Sequence, residues 1–335
     1  MNVPWPLTRF LWPLSLLYGG AAKLRAWLYK RGWLKQKRLN RPVISVGNLT
    51  VGGTGKTPMV IWLAERLLAE GKRVAILSRG YRGSGGSSDE IELMKQKLKD
   101  RVLFGVGSDR YAQGRRLESA GVDVYVLDDG FQHLQLARDV DIVLVDSTRP
   151  LQRELVLPAG PLREQRSALN RAHIVIFTRA EQSKLPVNTM PKLPPFAVYL
   201  ANSNLLGFRR FRASDQQKTL RQSLAGVYFA FCGIGNPEAF FVDLERWGVR
   251  VAGRRTFRDH HHYTPSEMDN LQRAAQRAGA TGLVTTEKDA QNMDESMVLN
   301  MPVEMALFAI EIPEEQEFLR NLYNRLPVTV GAVAS

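Results

Sequence analysis

A chain of 335 residues with 44% hydrophobic side chains is long enough for two domains and for real apolar cores. Its one cysteine, Cys232, excludes an intramolecular disulfide and a cysteine-based zinc site, and suits a reducing compartment. The net charge of +13 points to nucleic acid or an anionic surface, but residues 1–41 hold nine basic side chains and no acid, which leaves only +4 for the rest.

That basic segment also holds four of the six tryptophans, Trp5, Trp12, Trp27 and Trp33. Leu7, Phe10, Leu11, Leu14 and Tyr18 recur at helical spacing. The uncharged run from Phe10 to Ala22 is 13 residues, too short to cross a bilayer, and Pro13 and Gly19-Gly20 are expected to bend it. Tryptophan and leucine with Lys and Arg beside them describe a helix lying in the headgroup layer. A helix pair packed on the body of the protein is the structural alternative. Nucleic acid comes third, since no recognition motif is present.

The stretch from Pro42 to Thr57, PVISVGNLTVGGTGKT, organises the rest of the chain. Val43, Ile44 and Val46 predict a buried strand, and Gly47, Gly52, Gly53 and Gly55 open a loop. Lys56-Thr57-Pro58 then starts a helix carrying Met59, Ile61, Trp62, Leu63, Leu67 and Leu68. Strand, glycine loop, Lys-Thr and helix is the order of a phosphate-binding loop. Its backbone would cradle phosphate over Thr50, Val51, Gly52, Gly53, Thr54, Gly55, Lys56 and Thr57, with Lys56 at the β- and γ-phosphates and the Thr57 hydroxyl on Mg²⁺. The general pattern asks for Gly at position 50, where this chain has Thr.

Further short apolar runs predict strands at Arg73–Leu77, Val102–Val106, Val122–Leu127 and Ala172–Phe177, alternating with helical patterns. Such alternation gives a parallel sheet covered on both faces. Between the first two runs, Ser84 to Ser88 reads as a mobile loop, closed by Asp89-Glu90 at the start of a helix. A strand ending in Asp beside a phosphate loop supplies a metal-side carboxylate. Asp128 and Asp129 are preferred to Asp146 for this because Gly130-Phe131-Gln132-His133 comes directly after them. The Pro/Gly loop Leu157–Glu164 could bring Arg163 to phosphate and Glu164 near the metal.

Residues 181–196 read as a linker. Phe196–Phe208 and Val303–Ile312 are β-like segments, expected to pair as a ribbon between the domains. Between them lies a second α/β unit, with a capping box at Thr264-Pro265-Ser266-Glu267 and, just before it, Asp259-His260-His261-His262. Three adjacent histidines do not easily converge on one ion, so a His beside an Asp reads as an oriented acid or base, or as a solvated loop. The expected fold is thus α/β: a P-loop NTPase-like parallel-sheet domain over 41–200 and a smaller α/β domain over 201–335, joined by a two-stranded ribbon near 197–208 and 303–312. An interfacial helix over 1–40 precedes them.

Together these motifs resemble one family, the tetraacyldisaccharide 4′-kinases, the lipid A 4′-kinases of Gram-negative envelopes. The resemblance is carried in order by Val46-Gly-Asn-Leu-Thr50 with Gly52–Thr57, Ser78-Arg-Gly-Tyr81, Leu127-Asp-Asp-Gly-Phe-Gln-His133, Leu136–Asp139, Leu157–Glu164, Gly233-Ile-Gly-Asn-Pro237, Asp259-His260 and Thr286-Glu-Lys-Asp-Ala290. It implies transfer of the ATP γ-phosphate to the 4′-hydroxyl of an acylated glucosamine disaccharide 1-phosphate, with Mg²⁺, at the cytoplasmic face of the inner membrane. No nucleic-acid or obligate protein partner is expected. The family's catalytic Asp and His map to Asp89 and His260, and Gln132, His133 and Arg163 become candidates for substrate or phosphate contact. The chain departs from the family at Ser88-Asp89-Glu90-Ile91, where the pattern is Gly-Asp-Glu-Pro. The alternative from the motifs alone is a regulatory P-loop NTPase at a membrane surface, without a lipid acceptor.

Overall fold

The computed structural model describes residues 5–80, 89–149, 151, 155–182, 196–212, 220–294 and 297–327. The expected loop at 84–88 and most of the linker at 181–196 lie outside them, as do residues 81–83 and the side chains of residues 5–9. Two compact units are formed, Met1–Asn202 with Ile310–Ser335, and Ser203–Ala309.

The first unit opens with α1 (Trp5–Lys30), followed by β1 (Val43–Asn48), α2 (Lys56–Ala69), β2 (Val74–Ser78) and α3 (Asp89–Leu98). Next come β3 (Leu103–Val106), α4 (Arg110–Leu117), β4 (Val124–Asp128), β5 (Val140–Asp146), β6 (Ile174–Thr178) and the start of β7 (Ala197–Arg210). The strand order is β3-β2-β4-β1-β5-β6-β7, and every one of these pairings is parallel. All strands of a parallel sheet end on one edge, and that edge collects the loops that carry function. β1, β2, β4, β5 and β6 are buried along their whole length, as strands covered on both faces must be.

On one face α2 buries Met59, Val60, Trp62, Leu63, Ala64 and Leu67 against Ile44, Val46, Ile76 and Val126. Each such side chain contributes about 2 kcal/mol. The chain's last helix, α8 (Glu315–Arg325), returns to this core. Its Phe318 ring meets Trp62 and Tyr199 edge-on at 5.5 and 5.2 Å. The opposite face is closed by Leu49, Phe131, Val143, Val156, Leu162 and Phe177.

The helical ladder of α1 continues through Pro13 and Gly19-Gly20. Its inward stripe is small: Ser15 and Gly19 are buried, and Ala22 and Ala26 half-buried. Ser15 Oγ accepts from Ala159 N at 2.9 Å, and a Cβ on Gly19 would stand 3.3 Å from Gln165 Nε2. The large apolar side chains point the other way. Phe10 is 82% exposed and Leu17 71%, with Trp12, Leu14, Leu16, Leu24 and Trp27 also exposed. A helix of a water-soluble core has the reverse arrangement. Among the described residues no helix is long and apolar enough to cross a membrane.

The second unit holds the rest of β7, β8 (Val227–Cys232), α5 (Pro237–Arg246), β9 (Arg250–Thr256), α6 (Pro265–Arg277), β10 (Gly282–Thr286), the one-turn α7 (Glu287–Gln291) and β11 (Val303–Glu311) as far as Ala309. Its strand order is β7-β11-β10-β8-β9, with β11, β10, β8 and β9 parallel. Phe231, Met268, Leu271 and Leu283 fill one side and Phe208, Phe241, Leu244 and Val284 the other. Cys232 is buried in this packing, which raises its thiol pKa. The Thr264–Glu267 capping box forms in both directions and starts α6.

Candidate active site

The glycine loop is fastened by its carbonyl side. Thr178 Oγ1 donates to Thr54 O at 3.1 Å, and Arg179 Nη1 donates to Gly53 O at 3.3 Å. Asn48 Nδ2, from the last residue of β1, donates to Thr54 Oγ1 at 2.9 Å. With its carbonyls anchored in the protein, the loop presents amides, the groups that hold an anion. Gly52 and Gly55 sit at φ 121 and 86, and Gly55 caps α2 with no side-chain oxygen. The first-turn amides of α2 are thus left for a ligand. Val51 N donates to Pro161 O and Thr50 bridges Leu162, so this end of the loop is committed to the Pro/Gly segment. Thr57 is buried in the first turn of α2.

β4 lies beside β1 with Asp128 opposite Val46. The next residues fold over the end of β1, where Gly130 N donates to Val46 O. A Cβ on Gly47 would come within 2.8 Å of Phe131 N, so this crossing requires glycine. Asp129 takes a left-handed φ of 48. Its carboxylate accepts from Arg163 Nη1 at 2.8 and 2.6 Å and stands 3.7 Å from Lys56 Nζ. Burial opposes the charge on Asp129, but Lys56 and Arg163 outweigh it and hold the carboxyl below its ordinary range. Lys56, Asp129 and Arg163 are therefore brought together.

Asp128 is the opposite case. Burial first, then the charges of Glu90 and Asp129, push it up to about 7 against Lys56 and a 3.0 Å hydrogen bond from Ser78 Oγ. Ser78 ends β2, the neighbour of β4 on its other side. Glu90 sits in the first turn of α3, one residue after Asp89, whose Oδ1 accepts from Glu90 N at 3.0 Å. Ser78 and Glu90 were not among the residues expected to act. The available signal for Glu90 was its place beside Asp89 at the start of a helix.

Both oxygens of Glu164 accept from Arg171, each at 2.9 Å, a pair formed across the 3₁₀ turn Arg166–Arg171. Gln132 Nε2 donates to Asn48 O, which ties the 130–133 turn to the loop's root. His133 Nδ1 is 3.3 Å from Arg110 Nη1. Burial, then Arg110, Arg138 and Arg25, lower His133 to about 4, so it is neutral at physiological pH. Asp146, the rival strand-end acid, pairs with Arg179 at 2.6 Å and accepts from Thr148, which makes it a support of the loop.

His260 belongs to the second unit and is the fourth residue after β9. It has a left-handed φ of 60 and stands 3.3 Å from Lys288 Nζ, by its Nε2. His261 turns away, to Glu267 at 3.1 Å and onto the Phe257 ring. The three histidines therefore do not share a ligand.

A parallel sheet with an amide-lined glycine loop, a half-buried lysine and a strand-end aspartate defines a phosphate-handling enzyme of the P-loop class. The family model for tetraacyldisaccharide-1-P 4'-kinase (LpxK) matches residues 7–327. A tetraacyldisaccharide 4'-kinase of Desulfotalea psychrophila is 38% identical over 87% of this chain and 89% of its own length. One of Geobacter metallireducens is 42% identical over 83% and 86%. The crystal structure of "apo" form LpxK from Aquifex aeolicus in complex with ATP superposes with a TM-score of 0.73, at 29% identity, covering 96% of this chain and all of that one. The chain belongs to the tetraacyldisaccharide 4′-kinase family, phosphotransferases with an alcohol acceptor that act in lipid A biosynthesis.

Proposed function

We propose that the chain transfers the γ-phosphate of ATP to the 4′-hydroxyl of a tetraacyldisaccharide 1-phosphate at the cytoplasmic face of the inner membrane. The observation that carries this is the convergence of Lys56 and Arg163 on Asp129 beside the amide-lined loop. The related Aquifex aeolicus structure was obtained with ATP. In this reading the amides of Gly52–Thr57 hold the phosphates. Lys56 exchanges its contact with Asp129 for the β- and γ-oxygens, and Arg163 stays near as a second cation. Phosphoryl transfer asks mainly for positioning and charge neutralisation, and these groups supply both.

Thr57 and Asp128 would hold Mg²⁺, with Asp129 and Glu90 close by. The donor set is all oxygen, as a hard cation requires, and the charges of Glu90 and Asp129, which add to burial in pushing Asp128 to about 7, are what a divalent ion relieves. Among the described residues no three acids or histidines form a cage. Mg²⁺ does not need one, because it keeps waters and takes phosphate oxygens. Bound there, it would neutralise charge on the transferring phosphate.

Asp89 is the base that accepts the 4′-hydroxyl proton, and His260 orients it. The strands β7 and β11 serve as a hinge between a kinase domain at 41–200 and a smaller domain at 201–335, and closure would exclude water. The outward Phe10, Leu14, Leu17 and Leu24 side chains of α1, with the basic residues of 1–41, dock the enzyme on the bilayer that holds its substrate. Gln132, His133 and Arg163 would contact the acceptor or its phosphate.

The test is transfer from γ-labelled ATP to tetraacyldisaccharide 1-phosphate in detergent micelles, for wild type, Asp89→Ala and His260→Ala. Labelled lipid from wild type and severe loss in both variants is the expected result. Labelled lipid with Asp89→Ala fully active would move the base elsewhere. ATP hydrolysis without labelled lipid would leave a regulatory NTPase.

A further inference from the structure

In the second unit the backbone and the ring of His260 are fixed by different groups. The backbone is held through Gly233: His260 N donates to Gly233 O at 3.2 Å, and Gly233 N donates to Asp289 Oδ1 at 2.6 Å. A Cβ at Gly233 would stand 2.7 Å from Arg258 O, so only glycine lets the two loops run this close. Asp289 is buried and also accepts from the Tyr263 and Thr286 hydroxyls at 2.8 and 2.6 Å. This network enforces the left-handed φ of 60 at His260, which a non-glycine residue keeps only when its surroundings over-determine it. None of these bonds touches the imidazole.

The ring is addressed by Lys288, from α7. Its Nζ lies 3.3 Å from His260 Nε2 and 3.0 Å from Asp259 Oδ1. An ammonium has donors and no acceptor, so the nitrogen it faces must offer a lone pair. A neutral ring then carries its proton on Nδ1. Asp259 Oδ1 lies 3.9 Å from the same Nε2. With the lysine removed, that carboxylate would draw a proton onto Nε2 and reverse the tautomer.

We propose that Lys288 is a positioning residue for phosphoryl transfer: it occupies Asp259 and sets His260 as the Nδ1–H tautomer, so that the ring's N–H is directed to the carboxylate base and not to Asp259. This rests on the reading of His260 as the partner of Asp89. A carboxylate accepts an N–H and is repelled by a lone pair, so the wrong tautomer would misplace the base with the fold intact. Tautomer control of this kind is worth orders of magnitude in hydrolase triads.

The experiment uses the full chain labelled with ¹⁵N at histidine, and reads the imidazole nitrogens in long-range correlation spectra at about pH 8, where neutral rings dominate. His260→Gln removes one of five spin systems and so assigns the ring. Wild type should show a protonated Nδ1 and an unprotonated Nε2. Lys288→Met should move the proton to Nε2, and Lys288→Arg, another donor-only side chain, should keep it on Nδ1. In the transfer assay Lys288→Met should lower kcat roughly tenfold to a hundredfold with KM for ATP unchanged, and Lys288→Arg should recover most of it. A protonated Nε2 in wild type, which needs no variant to fold, would overturn the assignment. So would a Lys288→Met spectrum like that of wild type. Loss of kcat in His260→Gln but not in Lys288→Met would overturn the positioning role alone. Full activity in His260→Gln would instead overturn the part given to His260, with the Lys288–His260 pairing still standing.

Discussion

Asp129 and His260 stand at comparable places in the two units. Each follows a buried or edge strand of a parallel sheet, and each is a non-glycine residue with left-handed backbone, at φ 48 and φ 60. They are held by different physics. Asp129 is fixed by charge, clamped between Lys56 and Arg163, whose Nη1 reaches both carboxylate oxygens. His260 is fixed by a chain of short hydrogen bonds through Gly233 to the buried Asp289, and by a lysine that sets where its proton sits. The first arrangement suits a site where an incoming anion must compete for cations already in place. The second suits a group that must present one defined proton.

The contrast between the two is most exposed at Lys56. Lys56→Met should lower the rate of transfer by roughly a thousandfold, the range for losing a donor aimed at developing charge. A loss under tenfold in kcat would mean that Arg163 alone neutralises the phosphate. Asp128→Asn separates charge from fold. The folded-state pKa of about 7 lies above the ordinary value of 3.8, so the folded protein holds the extra proton and loses stability as pH rises through that window. The variant should melt above wild type at about pH 8, with the gap closing toward about pH 4, while transfer activity is lost. A melting temperature below wild type at every pH would show that the hydrogen bond from Ser78 outweighs the desolvation. The smallest effect belongs to α1. Phe10→Glu with Leu17→Glu changes only exposed positions, so stability should move by less than about 1 kcal/mol and turnover in micelles little, while sedimentation with anionic vesicles falls. Unchanged vesicle binding would sink the docking role given to this helix.

The glycine loop and the strands around it were legible because their signals are local: glycine, Lys-Thr, Pro58 and an apolar run stand together in the sequence. The choice of Asp128-Asp129 over Asp146 rested on their polar neighbours, and Asp146 does have another duty, pairing with Arg179 beneath the loop. The partner of Glu164 could not be read, since Arg171 returns to it through a 3₁₀ turn. Ser78 and Glu90 converge on Asp128 only because β2 pairs with β4. The direction of α1 was hidden as well. Its small residues pack inward and its large ones outward, a choice set by partners such as Ala159 and Gln165 far along the chain.

The decisive experiment on the catalytic pair is a double-mutant cycle on single-turnover transfer, with Asp89→Asn, His260→Gln and the two together. If the histidine acts by orienting the base, each single change should cost roughly a hundredfold or more, and the double variant should be no slower than the slower single one. If the two losses multiply, the residues act independently, and the assignment of Asp89 as a base positioned by His260 is wrong.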